Sequence, residues 1–159
     1  MSDPLRQARG YAHRLLRYRP RSRQELAHLL ELRGYPADAI NTLLNEFTAS
    51  GALDDRRFAL LWARSRALSQ RGSRRIAQEL RLRGVAQPLI AETLTALSRE
   101  HDEPAAARAV VERGLARLRR EPRQVQWRRL SQQLARRGYA PDIIEDALRQ
   151  CLRRCDDQS

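Results

Sequence analysis

Lysine is absent from this chain of 159 residues: every one of its 31 basic residues is arginine. That excludes chemistry that needs an amine, such as a Schiff base or a phosphate-loop lysine. There are two cysteines, Cys151 and Cys155, which is too few for a disulfide framework. They lie four apart on one helical pattern and read as packing residues. The three histidines, His13, His28 and His101, are scattered, so no metal centre and no cofactor is expected. No Gly-rich phosphate loop and no nucleophile–base pair stands at a motif spacing, which argues against an enzyme. No apolar run approaches a membrane span and the first residues lack a signal-peptide core, so the chain reads as soluble and cytoplasmic. Aromatic residues make up only 5%, and few could stack bases. Trp62 and Trp127 fall on apolar faces and are expected in the core.

What is present is a phrase written three times: Arg33-Gly34-Tyr35, Arg83-Gly84-Val85 and Arg137-Gly138-Tyr139. Aligned on the glycines, position −8 holds Leu26, Ile76 and Leu130, and position −4 holds Leu30, Leu80 and Leu134. Position +6 holds Ile40, Ile90 and Ile144, and position +10 holds Leu44, Leu94 and Leu148. Such spacings mark one face of a helix on either side of a turn. A recurrence at this distance is that of a helical repeat unit.

Nine helices are predicted, near 5–18, 22–33, 36–49, 55–70, 73–83, 87–99, 104–120, 123–137 and 140–154, punctuated by prolines at their starts and glycines at their ends. Ser22 and Ser73 stand where N-caps belong, Ser22 with Glu25 three residues on. Gly72 is expected to end a helix in the left-handed conformation; Gly10 and Gly114 are exceptions lying inside helices. The fold class is all-α, with three tandem three-helix, helix-turn-helix-like repeats at 1–53, 54–100 and 101–159. Each is too small to bury its apolar face alone, so an elongated, curved array is expected.

Charge sorts by the same ruler. The segments ahead of the three glycines (1–34, 54–84 and 101–138) carry 27 arginines and 10 acids, whereas the segments after them carry 4 and 9. The first two helices of each repeat are therefore strongly basic and the third mildly acidic. One reading is a basic face for a polyanion; the other is that third helices are simply buried. Burial leaves the excess of acids to be explained, in part by Asp38, Glu92 and Asp142 near helix starts. Two arginine clusters stand out, Arg64, Arg66, Arg71, Arg74, Arg75, Arg81 and Arg83 in the middle repeat, and Arg117, Arg119, Arg120, Arg123, Arg128 and Arg129 in the third. A recognition helix reading the major groove is disfavoured because the third helices are acidic and arginine-poor. A general interaction scaffold of helical repeats remains open.

The middle repeat opens on Asp54-Asp55-Arg56-Arg57-Phe58-Ala59, followed by Trp62, Gly72, Ile76, Leu80 and Gly84. An acidic pair, then Phe-Ala, then an aromatic, then this Gly, Ile, Leu, Gly series resembles the RecX family of bacterial regulators of the RecA recombinase, and the likeness covers nearly the whole chain. The resemblance implies a non-enzymatic modulator. Such a protein would lie along the groove of the RecA filament on single-stranded DNA and suppress its ATP hydrolysis and strand exchange, in homologous recombination, DNA repair and the SOS response. The arginine clusters would then face DNA or RecA. Asp54 and Asp55 read as a helix N-cap and a first-turn acid, with Phe58 and Ala59 in the core.

Overall fold

The computed structural model describes residues 3–156, with side chains described as far as Arg154. Cys155 as a packing residue therefore lies outside the described residues. Among those described there are nine α-helices and no strand: α1 Pro4–Tyr18, α2 Arg23–Leu32, α3 Ala37–Ala49, α4 Asp55–Leu68, α5 Ser73–Leu82, α6 Gln87–Glu100, α7 Glu103–Arg117, α8 Arg123–Arg137 and α9 Pro141–Asp156.

The thrice-written phrase is a helix terminator with the same hydrogen bonds each time. Gly34, Gly84 and Gly138 sit at φ +84°, +77° and +90°, the left-handed region that glycine enters without steric cost. The residue after each glycine donates its N–H back to the leucine at position −4: Tyr35 to Leu30 (3.3 Å), Val85 to Leu80 (3.1 Å) and Tyr139 to Leu134 (3.2 Å). This is the 6→1 bond of a Schellman motif, which asks for an apolar residue after the glycine to pack on the helix it ends. The phrase thus needs Gly followed by Tyr or Val, and the three leucines it bonds are fully buried.

Four local expectations fail. Gly72 is not left-handed; Gln70 takes that conformation instead, at φ 55°. Glycine is required at 72 for space, because a Cβ there would run into the backbone carbonyl of Gly138. Ser73 is the first residue of α5 rather than its cap. Glu92 lies beyond the first turn of α6, so the helix dipole does not account for it. Helix α7 ends at Arg117, three residues early, leaving Arg119 and Arg120 in the connection to α8. Gly114 is inside a helix as the pattern implied, and the reason is packing: a Cβ would collide with the side chain of Leu130 on α8.

The chain forms two compact units, 1–61 with 80–93, and 62–79 with 94–159. The first is built on Ala8, Ala12, Leu26, Leu30, Leu43 and Phe47, all buried. The second is built on Val110, Val111, Leu130, Leu134, Leu148 and Cys151. Each unit contains one joint between successive repeats, and the two joints use one design. In the first unit, Asp54 Oδ1 accepts the N–H of Arg57 (3.1 Å) and so caps α4. Its neighbour Asp55 accepts the N–H of Arg23 (2.8 Å) at the start of α2. In the second unit, Asp102 caps α7 through the N–H of Ala105 (2.9 Å), and Glu103 accepts the N–H of Ser73 (2.8 Å) at the start of α5. One acid closes its own helix and the next closes the second helix of the repeat before it, satisfying orphan N–H groups at both ends.

The same helix starts also seat on the next repeat's Arg-Gly turn. Ser22 Oγ donates to the carbonyl of Arg83 (2.6 Å) while accepting from Glu25 in a capping box. Gly72 N–H donates to Arg137 O (2.8 Å) and Arg74 N–H to Gly138 O (3.1 Å). The Arg-Gly turns at 83–84 and 137–138 therefore end one helix and receive the start of another.

Candidate nucleic-acid interface

Part of the expected arginine face is spent on the protein's own acids. Glu46 on α3 holds Arg9 of α1 (2.8 Å), Glu92 on α6 holds Arg56 of α4, and Glu100 on α6 holds Arg64 of α4 through both oxygens (2.8 and 3.1 Å). The hydrogen bond from Arg64 draws the Glu100 carboxyl below its ordinary range. In these two repeats, then, Glu46, Glu92 and Glu100 of the third helices are paired with arginines of the first. The partners lie 37, 36 and 36 residues apart, the distance from first helix to third within one repeat.

In the second unit Glu79 gathers four hydrogen bonds. Arg66 reaches it in a bidentate grip (Nε–Oε2 and Nη2–Oε1, both 2.7 Å), and Arg75 Nε lies 3.2 Å from Oε1. Trp62 donates its indole N–H at 3.0 Å while the Arg66 guanidinium lies 5.8 Å from its ring centroid. Burial pushes the Glu79 carboxyl up, but the hydrogen bonds from Arg66, Trp62 and Arg75 and the charge of Arg66 outweigh it, leaving it below the ordinary carboxylate range. Trp62 is thus half-buried with a polar partner, not an apolar core residue. Trp127 departs further from expectation, at 37% exposed.

Of the arginines singled out from sequence, Arg64, Arg66 and Arg75 are held in this way, and Arg83 lies 3.5 Å from Glu25. Arg129 lies 3.5 Å from Glu121. Arg71, Arg74, Arg81, Arg117, Arg119, Arg120 and Arg128 make no ion pair among the described residues, and all but Arg71 are exposed. Arg123 opens α8. The structure also brings forward three arginines that sequence reasoning passed over, Arg113, Arg136 and Arg137, which join the already singled-out Arg117 and Arg129 in lining a cleft of about 340 Å³ between α7 and α8. Their spacing, i and i+4 on one helix and i, i+7, i+8 on the other, was the available signal. A second arginine-rich patch missed from sequence lies in the first unit. There Arg33 and Arg14 stand 4.9 and 5.7 Å from the ring of Tyr11, which neighbours Tyr35 at 6.3 Å.

The motif residues are structural in their placement: Asp54 and Asp55 cap helices as described, and Phe58 and Ala59 are buried. No group of three or more metal-ligating His, Cys, Asp or Glu side chains occurs among the described residues. No described helix is long and apolar enough to cross a membrane.

Residues 8–47, 54–94 and 101–148 match the first, second and third three-helix domains of RecX. The chain is 38% identical to the regulatory protein RecX of Streptomyces coelicolor over 151 residues, covering 94% of this chain and 80% of that protein. It is 40% identical to the regulatory protein RecX of Mycobacterium marinum over 149 residues, covering 89% of this chain and 84% of that one. The crystal structure of RecX from Lactobacillus salivarius shares the fold, with TM-score 0.84 at 18% identity over 95% of this chain and 98% of that one. With three domains matched in order and close sequence relatives along nearly its whole length, the chain belongs to the RecX family of regulatory proteins.

Proposed function

We propose that this protein is a non-enzymatic modulator of RecA, binding the filament that RecA forms on single-stranded DNA and suppressing its ATP hydrolysis and strand exchange. The observation that carries this reading is the set of exposed arginines without acid partners, among them Arg74, Arg81, Arg117, Arg119, Arg120 and Arg128, in a member of this family. Guanidinium groups grip phosphate in a bidentate manner and need no particular base sequence. The paired arginines Arg64, Arg66, Arg75 and Arg83 position helices and leave the binding to the unpaired ones. On this reading the repeats divide at 53/54 and 100/101, and the protein works in the cytoplasm in recombinational DNA repair.

The deciding measurement is DNA-dependent ATP hydrolysis by RecA titrated with this protein at moderate salt. Progressive inhibition is expected, and a rate unchanged by excess folded protein would refute the proposal. Charge reversal at Arg74 and Arg81 should weaken inhibition, whereas reversal at Glu92, on the acidic third helix, should not.

A further inference from the structure

The cleft between α7 and α8 has arginines on both walls and no acid among its lining residues. Arg113 and Arg117 stand one turn apart on α7, roughly 6 Å along the axis. Arg129, Arg136 and Arg137 extend the facing row on α8 by roughly 10–12 Å. Two side chains are tied back: Arg113 donates to Gln70 Oε1, and Arg137 Nη1 to the carbonyls of Ser69 and Gln70 at 3.5 and 3.3 Å. Arg129 lies 3.5 Å from Glu121. Arg117 and Arg136 have no side-chain partner among the described residues, and both are exposed. Glycine at 114 lets α8 press its Leu130 against α7, so both rows of guanidinium groups rise from one packed floor of Val110, Gly114 and Leu130.

Five like charges brought together in this way repel one another, an arrangement relieved by an anion with several charged groups in a row. We propose that this cleft is a phosphodiester seat that takes the backbone of single-stranded nucleic acid, with Arg117 and Arg136 as the principal phosphate contacts and Arg113, Arg129 and Arg137 as supporting charge. An acidic peptide would meet the same charges, but the cleft gives it little else. Val110 and Leu130 are 1% exposed, which leaves Leu118, at the end of α7, as the one partly exposed apolar side chain of the lining. Both walls are helices, whose backbone groups are already paired and cannot add a strand. A phosphodiester chain needs only charges and donors, which the arginines and the glutamines Gln132 and Gln133 of the lining supply. This inference rests on the function proposed above and locates one of its contacts.

The test compares the full-length protein with Arg117→Glu/Arg136→Glu, and with Arg149→Glu/Arg153→Glu, which makes the same change in net charge on α9 outside the cleft. Binding is read by anisotropy of a labelled oligothymidylate across a salt series, with melting temperatures confirming the fold. The cleft variant should lose at least about tenfold in affinity and lower the slope of log K against log salt by about 1.4, at 0.7 per phosphate contact. The α9 variant should change much less. If the charge-reversed cleft does not fold, Arg117→Gln/Arg136→Gln supplies the same comparison. Equal losses from both doubles, or a cleft variant that binds as the parent does, would overturn the assignment. So would a cleft variant that keeps its DNA affinity but no longer binds polyglutamate, which would give the cleft to an acidic protein segment. Failure of the parent protein to inhibit RecA while it binds DNA normally would sink the proposed function and leave the cleft standing.

Discussion

Replacing Glu79 with glutamine keeps the shape of the side chain and removes its charge, and the network around it sets the expected cost. The carboxylate accepts from Trp62, twice from Arg66 and once from Arg75. Glutamine has one acceptor oxygen, and its NH2 group would point a donor at a guanidinium that also only donates. Removing one partner of a fully buried pair costs about 3–5 kcal/mol because the other charge is stranded. Here Arg66 and Arg75 keep 28% and 44% side-chain exposure, so water recovers part of that loss, and roughly 2–3 kcal/mol is expected. For a protein of this size the melting temperature should fall by roughly 5–10 °C. Thermal unfolding followed by fluorescence reads it directly. A Trp127→Phe background would leave Trp62, bonded to Glu79 itself, as the sole reporter.

The pH dependence gives the sharper check. The folded-state pKa of Glu79 lies below its ordinary value. Its stabilisation is therefore complete above the unfolded-state value, about 4.3, and is lost as pH falls through the folded-state value. The gap between parent and Glu79→Gln should be full at pH 7 and close on acidification below about pH 4. A gap under about 0.5 kcal/mol at neutral pH, or one equally wide in acid, would refute the account of Glu79 as a charged hub.

The joints, the turn glycines and a buried hydroxyl give three further expectations. Asp55→Ala and Glu103→Ala each remove an acceptor from the start of a helix in the preceding repeat and should each cost about 1 kcal/mol, measured by urea unfolding. The two losses should be similar, since the two bonds have the same 2.8 Å geometry. Gly34→Ala should cost about 1 kcal/mol from its left-handed backbone alone, because nothing lies near the added methyl. Gly138→Ala adds a collision with Arg75 to the same strain, and unfolding should show it at least twice as costly. Tyr139→Phe should leave the melting temperature within a few degrees of the parent, because the buried hydroxyl has no hydrogen-bond partner among the described residues. A large loss there would reveal a partner for that hydroxyl.

What could be read from the chain alone was whatever its local periodicity encodes. A Schellman turn involves six consecutive residues, so Leu30 through Tyr35 announce it without help from the rest of the fold, and two further copies make it a repeat. Helix limits followed to within three residues, since caps, prolines and apolar stripes are equally local. Glu92 shows where that reach ends. An acid near a helix start suggests a dipole contact, yet its partner is Arg56, 36 residues away. The wide separation of arginine from acid along the chain thus overstated the free charge, because helices folded back on one another bring the two together again. Asp55 and Glu103 were missed in the same way: each caps a helix about 30 residues upstream, a relation that no window of helical length contains. Only the repeat carries information over that distance. An acid–arginine pair that joins the first and third helices of one repeat, 36 or 37 residues apart, is a structural pair, and the arginines left over after that subtraction, Arg117 and Arg136 among them, are the ones with charge to offer a polyanion.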